Sequence, residues 1–341
     1  MASPTTIQEA PPIDSFLVCP GCRGSLRRAS PAASPQDCIR CVACGRSFTE
    51  VRGCIDFAGL DEARQEERRY YEGRYRSEGG AARPYEPEQW AALWADPNFP
   101  ERAAILRRMG DLRGKVVLCL GNGASRKELY LLHLGARLVH SDLSLNGPLS
   151  VKQEYDLSAY AGRAHFHAFD AFQVPLPDAS VDVLYAFELV HHLPDVPKFF
   201  DEVRRLLKPG GICIFFDHAY SPVWQLAKKT VLWPLTKAVH LIHGISPEDL
   251  RASEVGGFRE EAMERLGREH GLTAAFFERT TFFQYLVREG TGKLIGFNRS
   301  QWIYRLTGSI GSWLDRVLTA RVDALKRSRI ELVWGFERRE A

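Results

Sequence analysis

The chain has 341 residues, 45% of them hydrophobic, with 45 Lys or Arg against 42 Asp or Glu and a formal net charge of +3. That length supports one large α/β core plus a small accessory unit, and a charge so nearly balanced argues against a broad nucleic-acid face. The most apolar stretch, Val223 to Ile245, is interrupted by Lys228, Lys229, Pro234, Lys237, His240 and His243, so it does not supply the roughly 20 apolar residues that a membrane-spanning helix needs.

Residues 1–15 lack the charged start and apolar centre of a secretory leader; they are expected to be disordered, and the protein cytoplasmic. Next come Cys19-Pro20-Gly21-Cys22 and Cys41-Val42-Ala43-Cys44, with eighteen residues between Cys22 and Cys41. Two Cys-x-x-Cys knuckles at that separation can present four thiolates tetrahedrally to Zn2+, and residues 16–58 hold too little core to fold without such a staple. Gly21 and Gly45 are the turn residues that such knuckles use. Cys38 offers Cys41 a second partner, and a redox pair or disulfides are the alternative use of these thiols. Cys119 and Cys213 fall inside expected strands and read as core residues.

Residues 59–110 read as a helical linker and cap. Leu60 to Gly80 is dense in charge and tyrosine and predicts a solvated helix, with Tyr70, Tyr71 and Tyr75 either lining a ligand site or pinning the linker to the body. Ala81 to Pro87 reads as a loop, and Glu88 to Met109 as one or two helices interrupted near Pro97 and Pro100.

The main α/β unit is expected over residues 111–341. Val116-Val117-Leu118-Cys119-Leu120 is an unalternating apolar run, which suits a parallel strand covered on both faces. It runs into Gly121-Asn122-Gly123-Ala124-Ser125, where glycines allow a tight turn and close approach of a ligand, and Lys127 to Leu134 can start a helix whose amides face that ligand. Asp142 closes a second apolar run 21 residues after Gly121, where a carboxylate can accept both hydroxyls of a ribose. A dinucleotide fingerprint needs glycine five positions after the first, and Arg126 stands there, so a pyrophosphate reader is disfavoured. S-adenosylmethionine carries ribose and adenine but no phosphate, and needs only the small-residue elbow and the acid.

Leu120-Gly121-Asn122-Gly123-Ala124-Ser125 resembles the first motif of class I S-adenosylmethionine-dependent methyltransferases, with Ser125 in place of the usual last glycine. Three further segments resemble the same family in order: Phe166 to Ala171, Asp178 to Asp195, and Leu206-Leu207-Lys208-Pro209-Gly210-Gly211 running into the strand Ile212 to Phe216. Pro209 and Gly210 suit the centre of a type II turn. The resemblance implies a Rossmann-like seven-stranded α/β sheet with helices on both faces, Gly271 to Phe277 and Ile330 to Phe336 being its last two strands. It implies cofactor contacts from Leu120, Gly121, Asn122, Gly123, Ser125, Asp142, Leu143, Asp170, Ala171 and Phe187, and from Tyr75 on a helix crossing the cofactor. The front of the chain resembles the small zinc-ribbon proteins that partner tRNA, rRNA and protein methyltransferases; Cys44-Gly45-Arg46 matches their knuckle, which favours Cys19, Cys22, Cys41 and Cys44 as the metal set.

Methyl transfer to a hydroxyl needs a base, and His191, His192, Asp217, His218 and Tyr220 follow the strands that flank the methyl group in such a sheet. His191, His218 and Asp217 are the catalytic candidates, although adjacent Asp217 and His218 point to opposite faces of a strand. Apolar inserts at 220–256 and 290–328 would sit over the carboxyl ends of the strands. They imply an apolar or amphiphilic small-molecule acceptor, such as a natural product, sugar or lipid-linked intermediate. A membrane surface, with Lys228, Lys229 and Lys237 on the polar side of a helix, or a second copy of the chain could also be what they meet. An rRNA or tRNA nucleobase methyltransferase and a non-catalytic cofactor-binding partner module are the competing functions.

Overall fold

Eleven strands join edge to edge in one mixed sheet. The computed structural model describes residues 16–28, 38–58, 62–75, 81–227, 230, 257–287, 301–319 and 327–339. Its strands are β1 (Leu26–Arg28), β2 (Cys38–Cys41), β3 (Ser47–Val51), β4 (Cys54–Asp56), β5 (Val116–Leu120), β6 (Arg137–Asp142), β7 (Ala164–Ala168), β8 (Val181–Phe187), β9 (Leu207–His218), β10 (Leu272–Arg279) and β11 (Glu331–Arg338). They lie in the order β1-β2-β3-β4-β7-β6-β5-β8-β9-β11-β10. Two short strands, Arg83–Pro84 and Tyr155–Asp156, pair separately.

From β7 to β9 the pairing is parallel, and β11 runs antiparallel between β9 and β10. These are the seven strands expected from the motifs. Every residue of β5 is buried, as a central parallel strand requires. One sheet face is covered by α6 (Val196–Leu206) and α8 (Glu260–Glu269). The other is covered by α2 (Pro87–Trp94), α3 (Pro100–Met109), α4 (Leu129–His133) and α5 (Asn146–Glu154). In α6, Asp195 caps the first turn by accepting from the Lys198 N–H at 3.0 Å. Its Phe199, Phe200, Val203 and Leu206 are fully buried against Phe215, Trp334 and Phe336, each such side chain contributing about 1.5–3 kcal/mol. The break between α2 and α3 falls at the expected prolines. Gly210 has φ 74°, as a type II turn demands at that position. The turn interrupts the register, so that Val181 faces Leu207 while Val183 already faces Ile212.

The ribbon is not a separate appendage. Ile55 and Asp56 of β4 pair in parallel with His167 and Ala168 of β7, which covers an edge strand that would otherwise present unpaired backbone groups. The Ile55 N–H also donates to His167 Nδ1 at 3.2 Å, a bond that only a neutral imidazole can accept, and burial drives the His167 pKa well below its usual value. Phe16, Leu17, Ile39, Phe48 and Ile55 belong to the same apolar cluster as Leu118, Leu184 and Phe215. The sheet thus exceeds seven strands because four ribbon strands extend it.

The helix α1 (Glu62–Arg74) falls where charge density predicted one, but it is docked rather than merely solvated. Arg68 donates to both carboxylate oxygens of Asp56 at 3.1 and 2.6 Å, and Arg64 reaches Asp170 at 3.1 Å. The first insert is described only over residues 220–227, which include α7 (Pro222–Ala227), and at residue 230; the second only through α9 (Gln301–Leu314), its continuation to Thr319, and residues 327–328. The N-terminal stretch 1–15, the loop 29–35, and Lys228, Lys229 and Lys237 lie outside the described residues. No helix among those described is long and apolar enough to cross a membrane.

Candidate functional site

The chain leaves β5 through Gly121 (φ 64°) and Gly123 (φ 52°), backbone angles that side chains resist. Both glycines are also needed for space. A Cβ on Gly121 would come 2.7 Å from Leu189, and one on Gly123 would overlap the Tyr75 hydroxyl. Gly147, in the first turn of α5, lies so close below that its own Cβ would stand 2.7 Å from the Gly123 carbonyl. The elbow is therefore enclosed by Tyr75, Leu189 and α5, of which the family resemblance implied only Tyr75.

Asp142 ends β6 beside this elbow. The Gly123 N–H donates to Oδ2 at 2.7 Å and the Ser144 N–H to Oδ1 at 2.9 Å. Burial raises its carboxyl to about 6, although the N–H groups of Ser144, Gly123 and Leu143 pull the other way. A carboxylate offers about four acceptor positions, so capacity remains for hydroxyl donors. Asn122 donates its N–H to the Ser141 carbonyl at 3.0 Å, and Ser125 donates to the Asn122 carbonyl at 2.9 Å, closing the turn. Leu120 turns its side chain into the core, so only its backbone can serve a ligand.

Asp170 follows β7 and accepts from the Phe172 N–H at 3.0 Å and from Arg64 at 3.1 Å. Arg64 also stacks 4.8 Å over the Phe172 ring. Arg64 also donates to Glu67 one turn on at 2.9 Å, but no local pattern marked its reach to Asp170, which is 106 residues away. Ala171 beside it packs partly buried on the core. From the same helix, Tyr71 stacks on Tyr75 at 5.9 Å and meets His192 edge-on at 6.5 Å. Phe187, closing β8, stacks on Phe216 at 4.4 Å.

The structure brings His191 and Asp217 together. Asp217 is wholly buried, with Oδ1 2.7 Å from His191 Nδ1, and its Oδ2 accepts the His191 N–H at 3.3 Å. His218 donates its backbone N–H to the same carboxylate at 3.0 Å, but its ring Nδ1 is 3.9 Å away, as expected for strand neighbours facing opposite sides. Glu188 makes the pairing possible: its φ of 52°, costly for a side-chain-bearing residue, turns the chain so that the short helical turn Val190–His192 returns over the end of β9. Burial lowers the His191 pKa, but the hydrogen bond and charge of Asp217 outweigh it and leave the imidazole above its ordinary value. Burial and the neighbouring His191 press His192 down to about 4, which suits a wall of the site better than a proton carrier.

At the other end of the sheet, the Sγ atoms of Cys19, Cys22, Cys41 and Cys44 all lie within 4.8 Å of one another. Cys19 and Cys44 are 3.7 Å apart, and Cys22 and Cys41 3.4 Å. A tetrahedral zinc with bonds of about 2.3 Å needs sulfur separations near 3.8 Å, so the donor set fits. Gly24 leaves the room for it: a Cβ there would stand 3.1 Å from Cys41 Sγ and 3.3 Å from Cys22 Sγ. The four thiols are not disulfide-bonded. The side chain of Cys38 is outside the described residues.

Residues 118–215 match the family described as a methyltransferase domain. The chain is 25% identical over 134 residues to the O-methyltransferase cnsE of Penicillium expansum, a match covering 36% of this chain and 49% of that protein. It is 30% identical over 150 residues to a probable phthiotriol/phenolphthiotriol dimycocerosates methyltransferase 2 of Mycobacterium ulcerans, covering 43% of this chain and 54% of the relative. The chain thus spans about half the length of each of these two relatives. Among solved structures, geranyl diphosphate C-methyltransferase from Streptomyces coelicolor, in complex with Mg2+, geranyl diphosphate and S-adenosylhomocysteine, superposes with a TM-score of 0.51 at 12% identity. That superposition covers 82% of this chain and 100% of the other, and shows a common fold.

The buried acid gives a pH signature. If Asp142 accepts ribose hydroxyls as a carboxylate, binding favours its ionised form, so affinity for S-adenosylhomocysteine should fall as pH drops through about 6. Calorimetry near that pH in buffers of different ionisation enthalpy should register a released proton, and Asp142→Ala should remove both binding and proton release. Binding that is independent of pH from 5 to 8 would contradict this role.

Proposed function

We propose that the chain, whose residues 118–215 match the methyltransferase-domain family, transfers the methyl group of S-adenosylmethionine to the hydroxyl of a small apolar or amphiphilic acceptor. The observation that carries this reading is the elbow at Gly121 and Gly123 hydrogen-bonded to the buried Asp142 carboxylate. Asp142 would hold the ribose, with Leu143 beside it, and Asp170 with Ala171 the adenine side. Gly121, Asn122, Gly123 and Ser125 would line the path to the reacting end. The bound donor supplies a sulfonium whose methyl is already electrophilic, so the protein's task is alignment and proton removal.

His191 is the proposed base. Its Nδ1 is tied to Asp217 at 2.7 Å, which leaves Nε2 to take the acceptor proton, while Asp217 fixes the tautomer and favours the imidazolium that forms. Phe187, stacked on Phe216, would form one apolar wall. Trp224, Phe282 and Ile330, which cluster together with Tyr285 packed against them, would form another. An apolar acceptor is supported by the name of the phthiotriol enzyme among the similar proteins. His191→Asn should lower kcat on a hydroxylated acceptor by roughly 10²- to 10⁴-fold without changing S-adenosylhomocysteine affinity. The wild-type rate should rise with pH through a pKa above 6.5, because only neutral imidazole accepts a proton, and Asp217→Asn should move that pKa downward. A fully active His191→Asn variant would exclude the assignment.

Cys19, Cys22, Cys41 and Cys44 would hold one structural zinc. Because the ribbon shares its apolar core with the main sheet, losing the metal should lower the midpoint of one cooperative unfolding transition rather than melt a detached unit. Elemental analysis should find one zinc per chain and none in Cys22→Ser; zinc-free protein of unchanged melting temperature would refute this.

The surface around α9 supports a peripheral membrane contact. Leu306, Ile310 and Trp313, spaced to share one helix face, are each about half exposed, with Arg316 exposed one turn on. The protein should sediment with vesicles containing phosphatidylglycerol and Trp313→Asp should weaken that binding. Dimerisation through the same stripe, detected by light scattering without vesicle binding, would replace the membrane reading.

A further inference from the structure

We propose that Lys127 selects the α-carboxylate at the amino-acid end of the adenosyl donor, an inference that rests on the donor reading above. In the strand order β7-β6-β5-β8-β9, the chain passes from β5 to β6 on one side while β8 pairs on the other. The crevice outside the carboxyl ends of β5 and β8 is the topological switch point, where open α/β sheets receive ligands. One side of it is the elbow Gly121 to Ser125; the other is Phe187. Lys127 bridges them. Its Nζ donates to Ser125 Oγ at 3.3 Å, lies 2.6 Å from Glu128 Oε1, and stands 4.3 Å over the Phe187 ring.

This is not a solvated lysine. Its side chain is only 12% exposed, and the carboxylate it pairs with is completely buried. Glu128 thereby keeps a charged ammonium in place at the edge of the crevice. An ammonium has three donors; Ser125 accepts one at 3.3 Å while Glu128 neutralises the charge at ion-pair distance, so donor capacity remains for a ligand.

The order of the strands says which part of the ligand arrives there. Asp170 follows β7, Asp142 ends β6, the elbow follows β5, and Phe187 ends β8. A donor with adenine at Asp170 and ribose at Asp142 must extend across the elbow and present its methionine end at Lys127. The other cation of the elbow does not compete. Arg126 is committed to Glu154 at 2.5 Å and to the Ala124 carbonyl at 2.8 Å.

The test compares two ligands on the full-length protein by calorimetry. One is S-adenosylhomocysteine; the other is S-adenosyl-3-thiopropylamine, which lacks only the carboxyl group. Wild type should bind the first about tenfold or more tightly than the second, in line with a charge-assisted hydrogen bond. Lys127→Met should lose that preference, weakening S-adenosylhomocysteine while binding the amine as wild type does, which also shows that the variant is folded. Should Lys127→Met bind neither, Lys127→Gln, which is neutral but keeps a polar donor beside the Glu128 carboxylate, must show the selective loss. Parallel losses for both ligands, or none, overturn the assignment of Lys127 while leaving the donor reading intact. A wild-type protein that binds neither ligand removes the donor reading and this inference together.

Discussion

The hydrogen bond from the Gly123 amide to the buried carboxylate of Asp142 joins the ends of two adjacent parallel strands, and the architecture of the site follows from it. It fixes the elbow in the left-handed backbone conformation that its glycines permit, and it keeps an acid in a place where burial alone would favour its neutral form. Everything placed around it is close-packed: Tyr75 on Gly123, Leu189 on Gly121, and Gly147 beneath. A side chain at any of these glycines would displace the wall of the cleft and not merely strain the turn.

The ribbon and the main sheet are mechanically one object. β4 continues the sheet past β7, and α1 ties Asp56 of the ribbon to Asp170 at the cleft through Arg68 and Arg64. The four thiols that fit a zinc ion and the acid proposed for the adenine are thus connected by one helix and one strand pair. Neutral His167, accepting the Ile55 amide at the seam, adds a bond that charge on the imidazole would break. This continuity gives a physical reason for the ribbon to sit in the same chain: it covers the sheet edge and positions the helix that carries Tyr71 and leads into Tyr75.

The proposed chemistry depends on a similar convergence from distant segments. Asp217 is buried at the end of β9, and His191 comes from the loop after β8, 26 residues earlier in the chain. Their union needs the unusual backbone of Glu188 and the parallel pairing of β8 with β9. The same carboxylate anchors the His218 backbone, so one buried charge sets the positions of both chain segments.

By itself the sequence determined the parts whose cause is local. Unbroken apolar runs made the parallel strands, Gly121, Gly123 and Gly210 marked turns that only glycine suits, and paired Cys-x-x-Cys spacing marked the thiol cluster, because each depends on residues a few positions apart. Only the tertiary structure decided what depends on contacts between remote residues. It showed that the ribbon lengthens the sheet, that the charged helix is docked through Arg64 and Arg68, that Asp217 serves His191 and not the ring of His218, and that Lys127 lies across the cleft over Phe187. No periodicity or spacing encodes such pairings; they arise when strand order places the ends of separate segments side by side.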